Sequence, residues 1–314
     1  MKQFIKSWAL PLAIILGITG YFVSKIIVPD SLKPIFLNTA SSLQPILIGA
    51  MLFVSFCKIK HRSIHFCKWH FIALLLQISL CFILAFMALL FNAEGNTLIL
   101  FESAILCFLF PTATAAVVVA SKLGSPTENL VAYTMTIHIV TAIIAPVISW
   151  MLHHQINYHL TDTLYFIFIK TLPLIVLPLI IAALAKKLIP ECITKLNKQK
   201  NLAFYLWAIA LTFAMAFSVR SLMHTDITMT SLAALALISF VACIFQFLIG
   251  RHIGHLHQDS ICASQALGQK NTVFGIWLAY TFFNPVTAVV GGLYSIWHNL
   301  YNSWQLYVKC NKNV

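Results

Sequence analysis

The sequence predicts an all-α polytopic membrane protein. It predicts ten transmembrane helices in two inverted five-helix repeats, residues 1–157 and 158–314. Three observations lead there. Of 314 residues, 60% are hydrophobic and 9% charged, with a mean hydropathy of +0.89. A soluble domain carries about 25% charged residues. The apolar residues gather into ten runs, each near the roughly 20 residues that a bilayer crossing needs. With the N-terminus inside, fifteen of the 20 Lys and Arg fall in cytoplasmic segments and three in outer ones. Basic residues in short loops stay on the cytoplasmic side, so this bias places both termini inside and makes the number of spans even. Ten spans divide into five and five, and five is odd. The second half therefore sits inverted relative to the first, the geometry of inverted-repeat carriers.

The formal charge of +12 thus serves orientation in the lipid bilayer, and nucleic acid is excluded as a partner. Eight cysteines show no CxxC and no paired spacing, which argues against a disulfide framework or a zinc site. No cofactor is expected. An intramembrane enzyme would need paired acids or a motif such as HExxH, and neither is present.

The first run, Trp8–Val28, follows the basic MKQFIK and imitates a signal peptide. It is long and lacks a small-x-small cleavage site, so it is taken as a retained span. The next are Pro34–Cys57, Phe71–Asn92, Leu98–Ser121 and Glu128–Leu152. The second half holds Thr163–Ala185, Leu202–Met223, Met229–Gly250, Ser260–Phe283 and Pro285–Val308. Tyr and Trp near span ends, such as Trp150, Tyr301 and Trp304, form the usual interfacial belt. His153, His154 and His159 are expected in an outer loop, and His252, His255 and His257 in an inner one, as interfacial residues.

Two spans are interrupted. Span four contains Phe110-Pro111-Thr112-Ala113-Thr114-Ala115-Ala116, a proline among small and hydroxyl residues. Span nine contains Gln265, Gly268, Gln269, Lys270 and Asn271 nearly back to back. Such side chains are costly in hydrocarbon and face a cavity or a partner. An unwound segment must have its freed backbone groups met by protein, ion or water. Each is the fourth span of its half. Matched interruptions in corresponding helices are a sequence pointer to a transport site, and they make Thr112, Thr114, Gln265, Gln269, Lys270 and Asn271 candidate binding residues. Lys170 and Lys270 are the two basic residues within spans. Lys170 lies close enough to an outer end to snorkel, whereas Lys270 is deep. Glu102 is expected near the outer start of helix four, where a carboxylate suits the helix dipole. Asn284-Pro285 is expected as an outer turn, with Asn299 and Asn302 as packing groups.

From Ala263 to Leu306 the chain reads ASQALGQKNTVFGIWLAYTFFNPVTAVVGGLYSIWHNLYNSWQL. This stretch resembles the last two helices of bacterial members of the bile acid:sodium symporter family. The resemblance implies ten helices in two inverted repeats, with helices four and nine broken and crossing between a panel and a core. It implies transport of organic anions, such as bile acids, steroid sulfates or pantoate, usually with two sodium ions, across the cell inner membrane. It places Gln265, Gln269 and Gln77 at one sodium site, where Gln265 replaces the family's glutamate. At the other site it places Thr134 and His138 where the family has hydroxyls, and Ala116 and Val117 where it has a Ser-Asn pair. An apolar pair cannot coordinate a hard cation, so this site is expected to be absent. Lys270 stands where the family has an uncharged amide.

These readings give a carrier of small organic anions whose sodium ligands are partly lost. Its fixed ammonium takes the space and charge of an ion, and transport is proton-coupled or ion-independent. His138 is a second candidate proton carrier, because imidazole ordinarily titrates near 6.5. Half-helix N-termini and Lys270 together favour an anionic substrate. The alternatives are a conventional sodium symporter and, more remotely, a channel or sensor.

Overall fold

The computed structural model describes residues 9–57, 66–153, 165, 169, 172–199, 202–223 and 228–312. Among them are thirteen α-helices, one 3-10 turn and no strand. In chain order the helices are α1 Ala9–Ile27, α2 Lys33–Cys57, α3 Lys68–Leu90, α4 Gly95–Leu109, α5 Ala115–Lys122 and α6 Glu128–Leu152. They continue with α7 Leu172–Leu188, α8 Pro190–Lys198, α9 Leu202–Met223, α10 Met229–His255, α11 Ser260–Gly268, α12 Thr272–Phe282 and α13 Ala288–Lys312. Span four is occupied by two helices, α4 and α5, and span nine by α11 and α12. Lys170, His154, His159 and the expected repeat boundary at 157/158 lie outside the described residues.

Among the described residues four helices are long and apolar enough to cross a membrane: α2 over Lys33–Val54, α3, α6 and α10. The pattern on α3 shows that its surroundings are apolar too. Its buried residues include Ala73, Gln77, Cys81, Ala85 and Ala88. Its exposed ones include Phe71, Leu75, Ile83, Phe86 and Leu90. In water this is inverted, since each large side chain left exposed forgoes about 1.5–3 kcal/mol of burial. In lipid that drive vanishes, and small residues suit the close helix contacts instead.

The chain forms two compact units, each drawing on both halves of the sequence. One comprises Met1–Ile59 and Pro173–Asp226. Within it α9 packs on α1 and α2. Gly17 lets α1 close on α9, because a Cβ there would lie 2.7 Å from the Thr212 carbonyl oxygen. Lys186 on α7 donates to the Phe56 carbonyl at 2.6 Å, and Asn197 on α8 donates to the Cys57 carbonyl at 3.2 Å. These side chains satisfy end groups of α2 that have no helical partner.

The other unit comprises Lys60–Leu172 and Ile227–Val314. It holds α3 to α6 and α10 to α13, and therefore both interrupted spans. Its closest helix pair is α10 with α11. Gly250 and Gly254, one turn apart, make that approach possible: a Cβ at either would lie 2.5 Å from a carbonyl oxygen, Ala263 or Asp259 respectively. An apolar cluster of Trp69, Leu130, Tyr133, Ile137, Ala263 and Ala266 also takes in Ala116 and Ala120 of α5.

Candidate functional site

The two breaks meet. Phe110 ends α4 in an extended conformation, and Pro111 cannot continue the helix because it has no N–H to donate. Gln269 ends α11, also extended. Thr112 and Lys270 then pair as an isolated antiparallel bridge. Ala113 N–H donates to the Gln269 carbonyl at 2.8 Å, and Asn271 N–H donates to the Pro111 carbonyl at 2.7 Å. Each unwound segment thus supplies hydrogen bonds that the other has lost.

The free helix ends are met in the same way. A helix leaves its last carbonyls without intrahelical donors. At the end of α4, the Cys107 carbonyl accepts from Gln246 at 3.0 Å and the Leu109 carbonyl accepts from Thr141 at 2.9 Å. The Phe108 carbonyl accepts from both Gln77 at 2.7 Å and the Lys270 ammonium at 3.2 Å. At the end of α11, Thr112 donates to the Ala266 carbonyl at 2.6 Å and Tyr294 donates to the Gly268 carbonyl at 3.0 Å. Gly275 and Gly268 admit the buried rings of Phe110 and Phe247 against the breaks, leaving no room for a Cβ at either position.

Lys270 is 1% exposed. Among the described residues no carboxylate lies within ion-pair distance of it. The buried thiols of Cys81, Cys107 and Cys243 are close enough to interact with it electrostatically. The partner for its charge is instead the carbonyl end of α4, which carries about half a negative charge. The ammonium is turned to the Phe108 carbonyl at that helix end.

His138, fully buried on α6, reaches both its own helix and the break. Its Nδ1 lies 2.7 Å from the Thr134 carbonyl, and its Nε2 lies 3.4 Å from Asn271 Nδ2. A carbonyl on one side and an amide N–H on the other fit the neutral ring with its proton on Nδ1. Asn271 also caps α12 through a bond from Phe274 N–H to its side-chain oxygen at 3.2 Å. Thr134 itself bonds back to the Leu130 carbonyl at 2.7 Å. Thr114 is half-buried at the start of α5, beside the exposed Ala115.

The three glutamines share no hydrogen-bond partner. Besides the Phe108 carbonyl, Gln77 accepts a bond from Tyr133 O–H. Gln265 donates to Asn302 and Gln305 on α13, each at 2.9 Å. Gln269 leaves its side-chain oxygen buried without a partner, as does Gln265. Ala116 lies in the apolar cluster with Val117 packed against it, so no oxygen ligand comes from that pair. Among the described residues no group of His, Cys, Asp and Glu is placed to hold a metal ion.

Midway along α4, Glu102 is fully buried and pairs with His153 at 2.8 Å. It also accepts from Asn284 N–H at 3.0 Å. Helix α4 begins at Gly95, so Glu102 stands two turns inside it and the expected dipole contact at a helix start does not apply. His153 lies just past the end of α6, where the outer loop was expected to begin, and makes this pair from there. Asn284 caps the turn Pro285–Thr287 as expected.

Sequence reasoning passed over Gln246, Tyr294 and Thr141, which satisfy the broken helix ends. A lone amide in IFQFLIG carries the same signal as Gln77 in LLLQISL and would have marked Gln246.

No family model matches the chain, and no curated protein matches it. The case for function rests on the geometry.

Proposed function

We propose that the chain is a secondary transporter of small organic anions, working by alternating access across the cell inner membrane with both termini cytoplasmic. On this reading it has ten spans in two inverted five-helix repeats, on the pattern of the bile acid:sodium symporters that Ala263–Leu306 resembles. The observation that carries the reading is the Thr112–Lys270 bridge, where two broken helices meet back to back. A structural protein has little use for two polar, unwound segments in an apolar interior, each costly unless fully partnered. Carriers use such breaks to direct half-helix ends at a bound solute.

Lys270 takes the place of a bound cation. Its ammonium donates to a carbonyl at the end of α4, the kind of backbone oxygen that coordinates sodium in broken-helix transporters. A positive charge fixed there removes the need for an ion, so transport is proton-coupled or ion-independent. The anionic head of the substrate then goes to the start of α5, where Thr114 and Ala115 are accessible, rather than to Lys270. The start of α12 is already closed by Asn271.

The rival reading is sodium-coupled symport. It is favoured by the Gln269 side-chain oxygen, which is buried and unpartnered, since hard cations take oxygen ligands. Counterflow of labelled organic acids into proteoliposomes, in sodium and in potassium buffers, tests the proposal. Trans-stimulation equal in the two buffers supports it. Leakage without trans-stimulation supports a channel, and dependence on sodium supports the rival.

A further inference from the structure

A cavity of about 200 Å³ opens at the basic end of the second unit, lined by Arg251, Ser260, Gln265, Trp304, Gln305 and Lys309. Arg251 lies near the end of α10 and Lys309 near the end of α13, both exposed. Neither forms an ion pair among the described residues. Two cations from separate helices therefore face one small space with no acid between them.

The start of α11 adds to the positive character. Ser260 and Ile261, its first residues, border the cavity. Asp259 precedes them but makes no side-chain cap. Its carboxylate accepts instead from Trp69 at 3.0 Å and Asn129 at 2.9 Å. The first amides of α11 are left for another acceptor, and helix N-termini suit anions. Gln265 forms part of the wall, its N–H₂ group turned to Asn302 and Gln305. The remaining walls come from Leu123, Ile261, Val308 and Ser264, whose hydroxyl donates to the Phe247 carbonyl at 2.8 Å. Trp304, on the cavity wall, is 55% exposed, and Leu300 and Tyr307, 58% and 66% exposed, extend the same face of α13 beyond it.

We propose that this cavity binds a phosphate group, and that the occupant is an anionic phospholipid. Arg251 offers a planar fork to the phosphate oxygens and Lys309 a point charge. The acyl chains run along Leu300, Trp304 and Tyr307. The volume is below the roughly 300–1,000 Å³ of drug-sized sites, so a head group fits and a whole sterol does not. Basic pockets between helices on the cytoplasmic side are a recurring form of head-group site. The proposal is independent of the transport reading.

The test uses the full chain and the variant Arg251→Gln/Lys309→Gln, whose altered residues are exposed. Melting is followed after incorporation into nanodiscs of phosphatidylglycerol or phosphatidylcholine, and in detergent with inorganic phosphate. Phosphatidylglycerol retained by the purified protein is counted by native mass spectrometry. Specific stabilisation by phosphatidylglycerol, with retention about tenfold weaker in the double variant and preserved in Arg251→Lys/Lys309→Arg, supports the lipid. Stabilisation by inorganic phosphate alone, lost in the double variant, keeps the phosphate site and overturns the lipid. Equal behaviour of wild type and double variant toward both probes overturns the site.

Discussion

Thr112 and Lys270 face each other across an antiparallel bridge that joins two helix breaks, and the same two side chains cap the helix ends opposite them. The Thr112 hydroxyl satisfies α11 at Ala266, and the Lys270 ammonium satisfies α4 at Phe108. The arrangement is reciprocal: each span carries the group that the other needs. Loss of the Thr112 hydroxyl leaves the buried Ala266 carbonyl without its donor, whereas loss of the Lys270 ammonium leaves the Phe108 carbonyl with Gln77 alone.

The mildest test of this reciprocity is Thr112→Val, which keeps the shape and removes the donor. The Ala266 carbonyl is then buried without a partner, at a cost of about 1–3 kcal/mol. Thermal unfolding in detergent should show a lowered midpoint. An unchanged midpoint would mean that the bond contributes nothing.

Glycines separate the break from ordinary helix. Gly275→Leu drives a side chain into the ring of Phe110, and overpacking of this kind costs about 1–3 kcal/mol. At Gly20 on α1 nothing lies within 4 Å of an added Cβ. Gly20→Ala should leave the midpoint unchanged or raise it, by about 0.5–1 kcal/mol of helix preference. Paired melts of the two variants check the contrast.

The breaks themselves were legible in the sequence. Pro111 and the run Gly268-Gln269-Lys270-Asn271 contradict an apolar helix so plainly that no structure is needed to find them. Their partners were not legible, because Lys270 binds a backbone carbonyl, which has no side-chain signature. Gln265 and Gln269 are four residues apart, a spacing that puts side chains on one face of a helix, but Gln269 lies just outside α11. Gln265 turns to Asn302. Glu102 was misjudged because the apolar run begins later than the helix, and its pairing with His153 joins residues far apart in sequence.

That pair yields a third expectation. Glu102→Ala leaves His153 and Asn284 N–H without their acceptor and should destabilise by about 1–3 kcal/mol. Glu102→Gln retains a carbonyl oxygen for Asn284 and should lose less. Denaturant unfolding monitored by tryptophan fluorescence ranks the two, and equal losses would show that the carboxylate oxygens do not act through these partners.

Thiol accessibility tests the orientation. Cys192 is exposed, whereas Cys81, Cys107, Cys243 and Cys262 are buried. In a variant whose single cysteine is Cys192, an impermeant maleimide should label inside-out vesicles and spare right-side-out ones. The reverse pattern would invert the proposed topology.

The central claim is that Lys270 makes a bound sodium ion unnecessary. The direct measurement is the melting midpoint of the purified protein in sodium and in potassium at equal ionic strength, for wild type and Lys270→Ala. The account predicts the same wild-type midpoint in both salts. A sodium-specific rise in the wild type that persists in Lys270→Ala would contradict it.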